Sequence, residues 1–133
     1  MPVSKTELDA ALAHADMHMG ESLDRLRELV AIKSISTDSA YKAECRRAAD
    51  WLVTQLAGEG FSASARPTPG HPVVVAHAPT VAGPKVVFYA HYDVQPVDPL
   101  ALWNTDPFTL TEAKQPNGEV HLMGRGTSDD KGQ

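Results

Sequence analysis

The run Val86-Val87-Phe88-Tyr89-Ala90 carries no charge, and His91-Tyr92-Asp93 follows it at once. A strand wetted on one side alternates apolar and polar residues, whereas an unbroken apolar run of this length reads as a strand covered on both faces. Covering both faces takes helices. The segment therefore predicts a central strand in a layered α/β or α+β domain.

The rest of the chain supplies suitable partners. Leu8, Leu12, Ala15, Met19, Leu23, Leu26 and Val30 recur at the spacing of an amphipathic helix, with Ser4 and Glu7 as a capping box and Gly20 as a potential break. After a polar stretch, 34–39, the pattern resumes at Cys45, Ala48, Leu52 and Leu56, and Gly58 and Gly60 offer a stop. Residues 61–66 and 73–76 read as two short strands, antiparallel because the link between them is so short. The stretch from Gln95 to Phe108 holds three prolines among apolar residues and reads as an ordered loop, anchored by Trp103 and Phe108. Gln115-Pro116-Asn117-Gly118 reads as a hairpin turn between strands at 109–111 and 119–123.

Composition closes off several function classes. The 133 residues carry 12 Lys and Arg against 17 Asp and Glu, a balance of −5 that argues against a surface tracking nucleic-acid phosphates. No apolar run approaches the ~20 residues of a membrane-spanning helix. The single cysteine, Cys45, cannot form an internal bridge and sits on the apolar face of its helix; with no leader-like start, this sets the expectation of a cytoplasmic protein.

Two constellations could carry chemistry. At the end of the apolar run, His91 and Asp93 project together if the backbone stays extended, so the carboxylate can hold one ring N–H and leave the other nitrogen for a metal. The plainer alternative is a hydrogen-bonded structural histidine. The second constellation, Gly124-Arg125-Gly126-Thr127-Ser128-Asp129-Asp130-Lys131-Gly132, sets two adjacent acids among glycines that permit close backbone approach. Its alternative is a solvated turn with Asp130 and Lys131 facing water. The glycine spacing fits neither the dinucleotide fingerprint nor the phosphate-binding loop, and the chain has no Gly-x-Ser-x-Gly elbow. His14 and His18 stand four apart on one helix face and read as solvated surface; His71, His77 and His121 have no acidic partner at a telling spacing.

Together, FYAHYDVQPVDPLALW and MGRGTSDDKGQ resemble the dinuclear zinc metallopeptidases of peptidase family M-twenty, the group of carnosinase-like dipeptidases, carboxypeptidase G, succinyl-diaminopimelate desuccinylase and acetylornithine deacetylase. LRELVAIKSIST is similar to the usual entry of that family, so the resemblance extends over nearly the whole chain. It implies that His91 is a zinc ligand, that Asp93 serves catalysis by orienting that imidazole, and that Asp129 bridges two metals. It also implies a strained cis bond between Asp129 and Asp130.

By the same resemblance a complete site holds two Zn2+ ions, with Co2+ or Mn2+ as substitutes. The family completes its site with a Glu-Glu pair, a further acid and a late His, and inserts a lid or dimerisation domain; none of these can be placed in this sequence. The expectation is an α/β fold of the zinc-peptidase, phosphorylase/hydrolase-like type: a mixed, largely parallel sheet flanked by helices, truncated, with residues 1–133 forming the N-terminal part of the catalytic domain. Apolar surface should then be exposed at Met123 and along the apolar run. The parent would be a homodimer hydrolysing small peptides or N-acyl amino acids, binding neither nucleic acid nor membrane. This chain would carry half of the metal site and be inactive alone. The competing expectation is a folding or interaction domain that keeps the scaffold without catalysis.

Overall fold

A computed structural model describes residues 3–80 and 82–132, with the side chain of residue 130 outside the description. Helix α1, Lys5–Met17, begins at a capping box: the Ser4 hydroxyl accepts from the Glu7 N–H while Glu7 accepts from the Ser4 N–H. Helix α2, Met19–Ala31, follows after a break at His18, two residues before the glycine that marked it in the sequence. No residue of α1 is buried, so its apolar stripe, Leu8 and Leu12 included, faces outward instead of joining the core.

Helix α3, Lys42–Gly58, buries Cys45, Ala48 and Ala49. Its end is a Schellman motif: Phe61 N–H reaches the Leu56 carbonyl, Gly60 N–H reaches Ala57, and Gly60 takes φ +86°. Strand β1, Ser62–Arg66, then pairs antiparallel with β2, Val73–His77, in the register Ser64 to Val75. Strands β3, Thr111–Lys114, and β4, Val120–Met123, form a second antiparallel hairpin whose turn needs Gly118 at φ +89°. The first strand of that hairpin lies a little later in the chain than the sequence pattern suggested.

The mixture of helices and strands is α/β as expected, but both sheets are two-stranded and antiparallel. The expected largely parallel sheet is not what the described residues form. Their one parallel pairing is a single bridge between Ile35 and Val94. Nor is the apolar run a covered central strand. Residues 85–90 are irregular, and Val86, Val87, Phe88 and Tyr89 are 73%, 89%, 92% and 91% exposed. The physical reason is that a strand requires neighbours for its backbone groups, and none of the described strands pairs with this run. Met123, expected to be exposed, is half-buried.

The core is small and lies where α2 ends and α3 begins: Val30, Ile32, Ile35, Cys45, Ala48, Ala49 and Val94. Val94 ties it directly to the site, because Val94 N–H donates to the Ser34 carbonyl at 3.0 Å. The proline-rich loop is ordered as expected, with the Trp103 indole N–H donating to the Val97 carbonyl at 2.9 Å.

Candidate metal centre

The backbone from Tyr92 to Val94 is held by the segment between α2 and α3. Ser34 is fully buried, a departure from the polar loop that its sequence surroundings suggest, and its hydroxyl donates to the Tyr92 carbonyl at 2.7 Å. Tyr92 in turn donates its phenol to the Pro72 carbonyl at 2.6 Å, clasping the β1–β2 turn. Burial raises the Tyr92 phenol above its ordinary value. These bonds fix the direction in which the side chains on either side of Tyr92 leave the chain.

His91 and Asp93 do project together. His91 Nδ1 lies 3.2 Å from Asp93 Oδ1 and 3.1 Å from the Asp93 carbonyl. Both partners are acceptors, so Nδ1 carries a proton. The other ring nitrogen, Nε2, lies 3.1 Å from Asp129 Oδ1. A lone pair facing a carboxylate at that distance needs a positive charge between them, either a proton or a metal ion. Two donors on one tetrahedral zinc, each about 2.1 Å from it, would stand about 3.4 Å apart, close to the observed spacing. The side chains of His91 and Asp93 are partly open to solvent and Asp129 is more so. Among the described residues, no group of three or more His, Cys, Asp or Glu side chains is placed to hold an ion. The expected cis bond between Asp129 and Asp130 falls on a residue outside those fully described.

The glycine-rich segment reaches this position by close packing. A side chain on Gly126, which has φ +93°, would meet Val94 Cγ1 at 3.0 Å, and one on Gly132 would collide with the Thr127 carbonyl. Arg125 stacks its guanidinium over the Trp103 ring at 4.8 Å and donates to the Pro96 carbonyl at 2.8 Å. A depression lined by Val94, Trp103, Arg125, Ser128 and Asp129 opens beside the carboxylate.

Lys131 does not face water. It is buried, and its ammonium donates to the carbonyls of Leu29 at 2.9 Å and Ile32 at 2.8 Å, capping the C-terminal end of α2. Burial pushes it down to about 8. Sequence reading missed this lysine, together with Ser34 and Ser36. The signal for Lys131 was the glycine-rich run around it, where Gly126 leaves room for the buried stem. The serines gave none, since a polar stretch after a helix ordinarily reads as a loop. Of the remaining histidines, His14 and His18 stack at 4.0 Å, and His71 Nε2 reaches the Ser36 carbonyl at 2.9 Å.

Residues 87–133 match the family described as "Peptidase family M20/M25/M40". The "Probable di- and tripeptidase DUG2" of Saccharomyces cerevisiae is 37% identical over 96% of the chain, which spans 16% of that protein. The "Cys-Gly metallodipeptidase dug1" of Schizosaccharomyces pombe is 31% identical over 96% of the chain and 28% of its own length. The crystal structure of human carnosine dipeptidase 1 superimposes with a TM-score of 0.82 at 31% identity, covering 94% of the chain and 28% of that structure. The chain thus spans well under a third of the length of these relatives.

Proposed function

We propose that this chain, which belongs to peptidase family M20/M25/M40, contributes to a metal-dependent hydrolase of dipeptides or related small amides. The observation that carries this reading is the line from Asp93 through the two nitrogens of His91 to Asp129. A carboxylate behind a histidine, with a second carboxylate in front of it, is the arrangement that orients and charges a metal ligand set. The matched relatives are named as dipeptidases and metallodipeptidases, which supports the same substrate class.

His91 offers Nε2, and Asp129 offers a carboxylate able to bridge two ions. Asp93 keeps the His91 proton on Nδ1, so Nε2 is the nitrogen left for coordination. When bound, a zinc pair polarises an amide carbonyl and lowers the pKa of the water that it carries. Trp103 and Arg125 wall one side of the approach to Asp129. The remaining ligands and the group that moves the proton lie outside this set, so the chain supplies half of a two-metal site and is silent without the rest. Residues 1–133 are the N-terminal part of the catalytic domain, with a cis Asp129–Asp130 bond, in a cytoplasmic enzyme whose homodimer forms through another domain. Co2+ or Mn2+ can stand in for Zn2+.

In the chain carrying His14→Ala and His18→Ala, saturating zinc should raise the melting temperature and leave the further variant His91→Ala where it was. An equal rise in both removes His91 from the metal centre.

A further inference from the structure

Ser36 occupies the link between α2 and α3, 57 residues before Asp93, and its hydroxyl donates to Asp93 Oδ2. The other carboxylate oxygen, Oδ1, faces His91 Nδ1 at 3.2 Å. Asp93 is thus gripped at both oxygens, by a donor from a distant segment on one side and by the imidazole on the other. We infer that Ser36 is a positioning residue of the metal centre, holding Asp93 in the rotamer that keeps the His91 proton on Nδ1 and leaves Nε2 for the metal.

Three features hold Ser36 itself in place. Ile35, next to it, is buried and bridged to Val94. Ser34 is buried and hydrogen-bonded to the Tyr92 carbonyl. The imidazole of His71, at the turn before β2, donates from Nε2 to the Ser36 carbonyl at 2.9 Å. The backbone of Ser36 is therefore fixed without help from its hydroxyl, which is free to act on Asp93. The backbone of Asp93 is held on both sides, but its side chain is 39% exposed and can rotate its carboxylate into water if one oxygen loses its donor. His91 Nδ1 would then rely on the Asp93 carbonyl at 3.1 Å, and the ring would lose the charged partner that selects its tautomer.

The inference rests on the metal-centre reading, and the experiment separates the two. All measurements use the full chain carrying His14→Ala and His18→Ala, so that the stacked imidazoles on α1 and its end contribute neither zinc uptake nor ring-nitrogen signals. Ring-nitrogen NMR gives the tautomer of neutral His91 without metal, and competition with a chromophoric chelator gives the affinity for zinc alone. Ser36→Ala should reduce the Nδ1–H fraction of His91 and weaken zinc about tenfold, the lower end of what loss of a supporting partner costs. Ser36→Thr, which keeps the hydroxyl, should restore both. Adding Ser36→Ala to Asp93→Asn should change little beyond Asp93→Asn alone. A His91 tautomer unmoved by Ser36→Ala overturns the assignment, whatever happens to zinc. Zinc that leaves the His91 nitrogens undisturbed in the chain with Ser36 intact overturns the metal reading instead, and the tautomer still decides Ser36.

Discussion

His91 Nε2 and Asp129 Oδ1 meet at 3.1 Å across 38 residues of chain. The two residues belong to separate motifs, one after the exposed apolar run and one between glycines. Val94 lies between the two motifs: its N–H donates to the Ser34 carbonyl and its Cγ1 fills the space over Gly126.

Replacing Asp93 with Asn keeps the side chain's shape but removes its charge behind His91. Zinc affinity should fall 10–100-fold, as is usual when the partner of a ligating histidine is lost. Chelator competition reads this directly, and far-ultraviolet circular dichroism should show the fold retained.

Gly126 and Gly118 both have positive φ, +93° and +89°, yet only Gly126 is crowded. Gly118→Ala should cost about 1 kcal/mol from backbone strain alone. Gly126→Ala adds the contact with Val94 Cγ1 and should cost about 2–3 kcal/mol. Urea unfolding of the two variants isolates the packing contribution as their difference.

Lys131 should make stability depend on alkaline pH. Burial lowers its folded value to about 8 against 10.5 in the unfolded chain, so between those pH values the unfolded state holds the extra proton. Stability therefore rises with pH across that window, by at most about 1.4 kcal/mol per unit. Lys131→Met should lose this slope and, leaving two carbonyls at the end of α2 without their donor, should be less stable at pH 7 by about 1–3 kcal/mol. Urea midpoints at pH 7, 8, 9 and 10 test both statements.

Cys45 is fully buried, and burial raises its thiol above the ordinary value. It should react with a thiol reagent only as fast as the chain opens, and at once in urea. Rapid labelling of the native chain would place Cys45 outside the core.

The exposed run from Val86 to Tyr89 combines β-branched and aromatic residues with no charge, the composition of a segment that pairs edge to edge. The chain should self-associate at high concentration, and Val87→Lys should suppress it. Sedimentation at several concentrations measures the change.

Local signals were the most legible in the sequence. The Ser4–Glu7 box, the Gly60 stop and the Gly118 turn each act within a few residues, and the structure has all three. The pairing of His91 with Asp93 was legible for the same reason. Longer-range relations were not. Periodicity placed Leu8 and Leu12 on an apolar face, but it cannot supply the surface that face would pack against. Likewise the character of residues 86–90 announces a strand, while its neighbours must come from elsewhere. Ser34, Ser36 and Lys131 were hidden because the acceptors that fix their roles lie 57 to 102 residues away.

The cap that Lys131 places on α2 also sets an order of assembly on the ribosome. The lysine is made 102 residues after Leu29, the carbonyl it seals. At about 5–20 residues per second, roughly 5–20 s pass between the synthesis of the helix and that of its closing residue. Asp129, two positions earlier, is made in the same interval. For that interval a nascent chain displays His91 without the Asp129 carboxylate that faces it in the folded chain.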